Sequence, residues 1–345
     1  MASSQDPITA LIRWADSGVR GALAIVVKTY GSSPRPLGAM MAVSETGQMV
    51  GSVSGGCVEG AVVQEALNVL AEGRPRLVTY GISDDWAAEA GLTCGGEIEI
   101  YILPWRRDPV WQELQSERLN KRPVALALGL SGRLEGEIGL FHVDGRSLGT
   151  LASHRPALED LLKAAFTQQR PQSGVVLPDG RSAAIVIPFF PPQRLIIIGA
   201  VHIGVSLVRF AHELDYETIV IDPRPIFASS HRFDHADQVL AAWPQEALPQ
   251  LRPDPGTSIA VISHDDKIDL PALELALNSN ARYIGALGSR KTMARRAAAL
   301  REAGFSDEQI ARIHNPIGLD LGGRSPEEIA LATMAEIVAA RYGKA

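Results

Sequence analysis

The sequence predicts an α/β protein in two parts, a C-terminal Rossmann-like doubly wound parallel sheet plus an N-terminal α+β domain, on three observations. First, Leu195-Ile196-Ile197-Ile198 is a short continuous apolar run of the kind a buried parallel strand needs, and it opens into Gly199-Ala200-Val201-His202-Ile203-Gly204. Second, a further apolar run, Thr218 to Ile221, ends at Asp222, 23 residues after Gly199. That is the layout of a βαβ nucleotide-binding unit with an acid placed for a ribose hydroxyl. Third, 345 residues exceed what one hydrophobic core usually holds, and Pro188-Phe189-Phe190-Pro191-Pro192 is a stiff connector. The expected domains are 1–190 and 193–345.

Asp6-Pro7 ahead of Ile8, Leu11 and Ile12 predicts a capped N-terminal helix with proline in its first turn. Ala22 to Lys28 follows as a strand, and the segment from Tyr30 to Gly38 is too rich in Gly, Ser and Pro to be regular. A hairpin is expected around Thr46-Gly47, then a helix in which Val58, Val62, Ala66 and Leu70 recur every four residues. Arg76 to Tyr80 and Glu97 to Leu103 are further strands. From Pro123 to Pro188, short strands broken by Asp144-Gly145 and Asp179-Gly180, with a helix near Ala157 to Phe166, predict an α+β extension of the first domain. Beyond the connector, Ser258 to Ser263 and Arg282 to Leu287 alternate with helices, as in a mainly parallel sheet of about six strands. Ser325-Pro326-Glu327-Glu328 is a capping box that starts the last helix.

Composition narrows the function classes. With 46% hydrophobic and 21% charged residues the chain is an ordinary globular protein. A net charge of −6 excludes a general nucleic-acid or membrane-surface binder, which needs a basic footprint. No leader-like pattern opens the sequence and no apolar run is long enough to span a bilayer, so with only 2 cysteines a cytoplasmic location is expected.

Those two cysteines sit in mirror-image settings, Gly55-Gly56-Cys57 and Cys94-Gly95-Gly96. Glycine permits positive φ and close backbone approach, so each thiol can stand at a tight turn beside backbone N–H groups. Cys57 falls at a helix N-terminus, where the dipole favours negative charge. A soft-ligand site, a pair of buried small hydrophobes and a disulfide all fit this pattern. Cys57 and Cys94 are expected to approach one another. No Cys-x-x-Cys or His-Glu-x-x-His spacing supports zinc.

In the second domain, Gly199 and Gly204 keep the first and third glycines of the dinucleotide turn, but Val201 replaces the second, the one that admits a pyrophosphate. NAD(P) is therefore expected to bind weakly, a mononucleotide or another single phosphate better. His202, Asp222, His264 and Arg290 are expected to face one crevice at the carboxyl edge of the sheet. Arg290 and Lys291 at a helix start suit a phosphate, or simply open the solvated basic run that Arg295, Arg296 and Arg301 continue.

The strings Gly31-Ser32-Ser33-Pro34-Arg35-Pro36-Leu37-Gly38, Gly51-Ser52-Val53-Ser54-Gly55-Gly56-Cys57-Val58-Glu59-Gly60 and Leu92-Thr93-Cys94-Gly95-Gly96 resemble the xanthine dehydrogenase accessory family of XdhC/CoxI type. So do Tyr283-Ile284-Gly285-Ala286-Leu287-Gly288-Ser289-Arg290 and the segment from Pro316 to Ala330. The resemblance implies a maturation factor rather than an enzyme. Such a protein binds molybdenum cofactor (molybdopterin), holds it for sulfuration, with a cysteine desulfurase as a further partner, and delivers it to a xanthine dehydrogenase type molybdenum hydroxylase. It implies Cys57 and Cys94 as thiol ligands to the thiophilic molybdenum, with Glu59 and the flanking glycines beside them. A homodimer is compatible with it. An NAD(P)-dependent oxidoreductase and a non-catalytic nucleotide-binding regulatory protein are the competing readings, the first opposed by Val201 and by the lack of a catalytic constellation.

Overall fold

Asp6 accepts the Thr9 N–H at 3.0 Å and Pro7 occupies the first turn, so helix α1 (Pro7–Asp16) starts where the sequence predicts. The structure, a computed structural model, describes residues 6–31, 35–81, 97–227 and 232–344. It divides into two compact units, Met1–Pro191 and Pro192–Ala345.

The first unit is built on two antiparallel sheets. Strands β1 (Gly21–Tyr30), β2 (Met40–Ser44), β3 (Met49–Gly51), β4 (Arg76–Tyr80) and β5 (Glu97–Trp105) are ordered β3-β2-β1-β5-β4. The second sheet uses β6 (Val124–Gly129), β7 (Ile138–His142), β8 (Ser147–Gly149), β9 (Gln172–Val175) and β10 (Ala183–Phe189), in the order β8-β7-β6-β10-β9. Period-two alternation gives β1 two apolar faces. Leu23, Ile25 and Val27 enter a core shared with Leu126, Leu128, Ile185 and Ile187 of the second sheet. Ala22, Ala24 and Val26 face the other way, onto Val62, Ala66 and Val69 of α2 (Glu59–Glu72). Helix α3 (Pro109–Leu119), capped by Asp108, closes the shared core with Val110, Trp111 and Leu114. Helix α4 (Arg155–Gln168) covers the far side of the second sheet through Leu158, Leu162 and Ala165. The segment read from sequence as an extension is thus a full second sheet, whose strands bury the face of β1 that α2 leaves open.

The second unit is a six-stranded parallel sheet ordered β13-β12-β11-β14-β15-β16. Its strands are β11 (Arg194–Ile198), β12 (Glu217–Ile221), β13 (Gln238–Leu240), β14 (Thr257–Val261), β15 (Tyr283–Ala286) and β16 (Ile313–His314). One face packs on α5 (His202–Glu213) and α10 (Pro326–Arg341). The other packs on α6 (Pro244–Leu251), α7 (Asp266–Leu277), α8 (Arg290–Glu302) and the short α9 (Asp307–Ile310). The order in which strands are added reverses between the neighbours β11 and β14, which leaves a crevice at their carboxyl ends. Among the described residues no helix is long and apolar enough to cross a membrane.

Candidate functional site

In the first unit the chain between β3 and α2 folds around a carboxylate. Glu59 is buried, and its Oε1 accepts Ser52 Oγ at 2.6 Å, Ser54 N at 2.9 Å, Gly55 N at 3.1 Å and Val53 N at 3.3 Å. Oε2 accepts Gly56 N at 2.9 Å and the Ser54 hydroxyl. Burial pushes this carboxyl up, but the hydrogen bonds from Ser52 and Ser54 outweigh it and bring the pKa down to about 2. The backbone N–H groups of Gly55 and Gly56, expected to be open to a ligand, are therefore satisfied from within. Successive N–H groups form an anion-binding concavity, and Glu59 supplies the anion.

Ser54 passes this order on to the thiol. While its hydroxyl donates to Glu59, its oxygen accepts the N–H groups of Cys57 at 3.0 Å and Val58 at 2.9 Å, doing for α2 the work of a capping side chain. Cys57 has a free thiol and is half-buried, packed on the edge of the α2 core. Gly55 and Gly56 have φ of 79° and 115°, and a Cβ added at Gly56 or Gly60 would meet nothing within 4 Å among the described residues. Backbone conformation requires glycine at position 56. A half-buried soft donor at an ordered turn fits a thiophilic ligand. Cys94, Gly95 and Gly96, and with them the expected approach of the two thiols, lie outside the described residues.

In the second unit, Gly199 has φ 108°, and a Cβ there would lie 2.6 Å from both Cα and N of Ser263, so the turns after β11 and β14 touch through a glycine. Asp222 is wholly buried and turned inward. It accepts Ala200 N at 2.8 Å, and Arg224 donates to it through Nε at 2.9 Å and Nη2 at 2.8 Å. Burial raises this carboxyl, and the Arg224 side-chain bond leads the effects that carry it below its usual range. The group expected to hold a ribose thus has its partners already. Gly204 is buried against Phe233, whose ring would lie 3.4 Å from an added Cβ, and lets α5 pack closely on that ring and on the Gly199 turn.

A cavity of about 550 Å³ opens at the carboxyl edge, lined by Arg224, Ser263, His264, Thr292 and Arg295 among others. Of His202, Asp222, His264 and Arg290, only His264 lines it. His202 is exposed and 3.7 Å from Glu327 of α10; Asp222 lies behind Arg224. Arg290 and Lys291 are exposed at the start of α8, but the helix turns Thr292, Arg295 and Arg296 toward the cavity instead. Spacings of three and four residues put those side chains on one face, a signal present in the sequence. Arg296 is pinned there by Asp266 at 2.9 Å and by Asp269. Among the described residues no cluster of His, Cys, Asp and Glu could hold a metal ion.

Comparison with known proteins agrees at both ends of the chain. The XdhC and CoxI family profile matches residues 14–81, and the XdhC Rossmann domain profile matches residues 195–337. The molybdenum cofactor insertion chaperone PaoD of Escherichia coli (strain K12) is 29% identical over 325 residues, 94% of this chain and 85% of that protein. A Bacillus subtilis (strain 168) protein named as a probable xanthine dehydrogenase subunit is 26% identical over 323 residues, 92% of each chain. A crystal structure described as a xanthine dehydrogenase from Bacillus halodurans superposes with a TM-score of 0.79 at 26% identity, covering 99% of this chain and 97% of that one.

Proposed function

The chain belongs to the XdhC and CoxI family, and from that premise we propose that it carries molybdenum cofactor as cargo, holds it for sulfuration, and delivers it to a xanthine dehydrogenase type hydroxylase. The observation that carries this reading is the Cys57 loop, where Glu59 and Ser54 order the backbone that presents a free, half-buried thiol. Molybdenum is thiophilic, and a thiolate is a ligand that a partner enzyme can displace. In this reading Cys57 contacts the metal, together with Cys94 of the mirror-image motif, while Glu59 shapes the loop. A cysteine desulfurase is the partner that sulfuration requires, and the reducing cytoplasm the place where both thiols stay free. Oxidoreductase chemistry finds little support, because Asp222 is closed off by Arg224.

Molybdenum and pterin analysis of the protein purified from a molybdate-supplied host tests the proposal. The wild type should carry both in comparable amounts, and Cys57→Ser should lose most of them while its thermal midpoint stays within about 2 °C, as for a substitution outside the core. Protein free of molybdenum and pterin would refute the carrier role. Full retention by the variant would remove Cys57 from it.

A further inference from the structure

His264 stands apart from the other residues with left-handed backbone. Five described non-glycine residues have positive φ: Lys121, Gln169, Asp215, Arg252 and His264. Gln169 and Arg252 are the C-caps of α4 and α6, and Lys121 and Asp215 directly follow the caps of α3 and α5. A left-handed residue there closes a helix. His264 (φ 63°) instead follows strand β14 and ends no helix, so its backbone carries the cost of that conformation without that return. Such outliers gather where a side chain has to be aimed. This one puts an exposed histidine in the wall of the cavity of about 550 Å³.

Two arginines reach the same cavity with donors to spare. Asp222 takes Nε and Nη2 of Arg224, and Asp266 takes Nη2 of Arg295. Nη1 of Arg224 and both Nε and Nη1 of Arg295 have no acceptor among the described residues. The cavity's own carboxylates are engaged, Asp266 by Arg295 and Arg296 and Asp265 by the Lys267 N–H at 3.0 Å. Gly288 and Thr292 bring the amino end of the 13-residue helix α8 to the wall, with its positive dipole end.

We propose that this cavity binds the terminal phosphate of a small phosphomonoester, with Arg224 and Arg295 as charged donors and His264 reading the phosphate. Donors converging from three segments match a tetrahedral dianion better than a planar carboxylate. The volume is within the range of small-molecule sites, so the phosphate brings a body with it, that of a mononucleotide or of a pterin phosphate. The site is independent of the thiol reading, because its probes contain no metal.

Titration calorimetry of the full chain with inorganic phosphate, AMP, a pterin monophosphate and adenosine tests it. AMP or the pterin phosphate should bind with submillimolar affinity and adenosine should not; the tighter ester identifies the source. Arg295→Ala, at a side chain 69% exposed, should weaken the better ester about tenfold, the effect of one charge-assisted hydrogen bond. His264→Gly should also weaken it, yet leave the thermal midpoint equal or higher, since glycine adopts positive φ freely. Lower affinity without lower stability is a pairing that a structural role for His264 does not produce. Absence of ester binding at millimolar concentration, adenosine binding as tightly as AMP, inorganic phosphate binding as tightly as either ester, or unchanged affinity in both variants would each overturn the proposal. So would a His264→Gly protein that melts lower.

Discussion

Ser54 is held twice by Glu59: its N–H donates to Oε1 at 2.9 Å and its hydroxyl donates to Oε2. Because the same hydroxyl oxygen receives the Cys57 N–H, the carboxylate governs the backbone that presents the thiol. Glu59→Ala leaves the buried N–H groups of Val53 and Ser54, and the more exposed one of Gly56, without their acceptor. It should cost about 2–4 kcal/mol in denaturant unfolding and speed alkylation of Cys57. Glu59→Gln keeps one oxygen and should cost less. A Glu59→Ala protein as stable as the wild type would show that the loop is ordered by something else.

The same carboxylate sets a pH dependence. Its pKa in the folded protein is about 2 against an ordinary 4.5, so the folded state favours the ionised form. That contribution is fully present above pH 4.5 and is lost as pH falls toward 2. The stability gap between wild type and Glu59→Gln should therefore be widest near neutrality and shrink through that window. A gap that stays constant through the window would contradict the depressed pKa.

Gly199→Ala should destabilise the second unit by about 2–4 kcal/mol, since it combines a left-handed φ with a clash against backbone. The clash is with Cα and N of Ser263, both 2.6 Å from the added carbon, and neither can swing away as a flexible side-chain tip would. Guanidinium unfolding reads the loss directly. An unchanged midpoint would mean that the turns after β11 and β14 separate at little cost.

NAD should bind no more tightly than AMP. The Ala200 N–H of the glycine turn already donates to Asp222 at 2.8 Å, Val201 takes the place of the glycine that admits a pyrophosphate, and Arg224 occupies the carboxylate that a ribose diol needs. Calorimetry with both ligands on one preparation makes the comparison. Micromolar affinity for NAD would restore the oxidoreductase reading.

Much of the fold was legible because its signals are local. Asp6-Pro7 and Ser325-Pro326-Glu327-Glu328 mark helix starts through side chains that bond their own first turn. The apolar runs of β11, β12 and β14 announce strands covered on both faces. The Gly-Gly-Cys turn and its following helix were visible for the same reason. Less legible were β13 and β16, of 3 and 2 residues, too short for any periodicity to show.

By itself the sequence determined which residues stand at turns and strand ends, Cys57, Gly199 and His264 among them, because backbone permissiveness and side-chain period act over a few neighbours. Tertiary structure alone decided what each one meets. Nothing local says that Leu23 and Ile25 face a second sheet while Ala24 faces α2, since an apolar run is equally apolar toward either cover. Nor does it say that Glu59 folds back to fill the anion nest of Gly55 and Gly56, or that Arg224 turns Asp222 away from the crevice. Each of those outcomes is a choice among partners of similar chemistry, and it is made by burial and by the geometry of distant segments brought into contact.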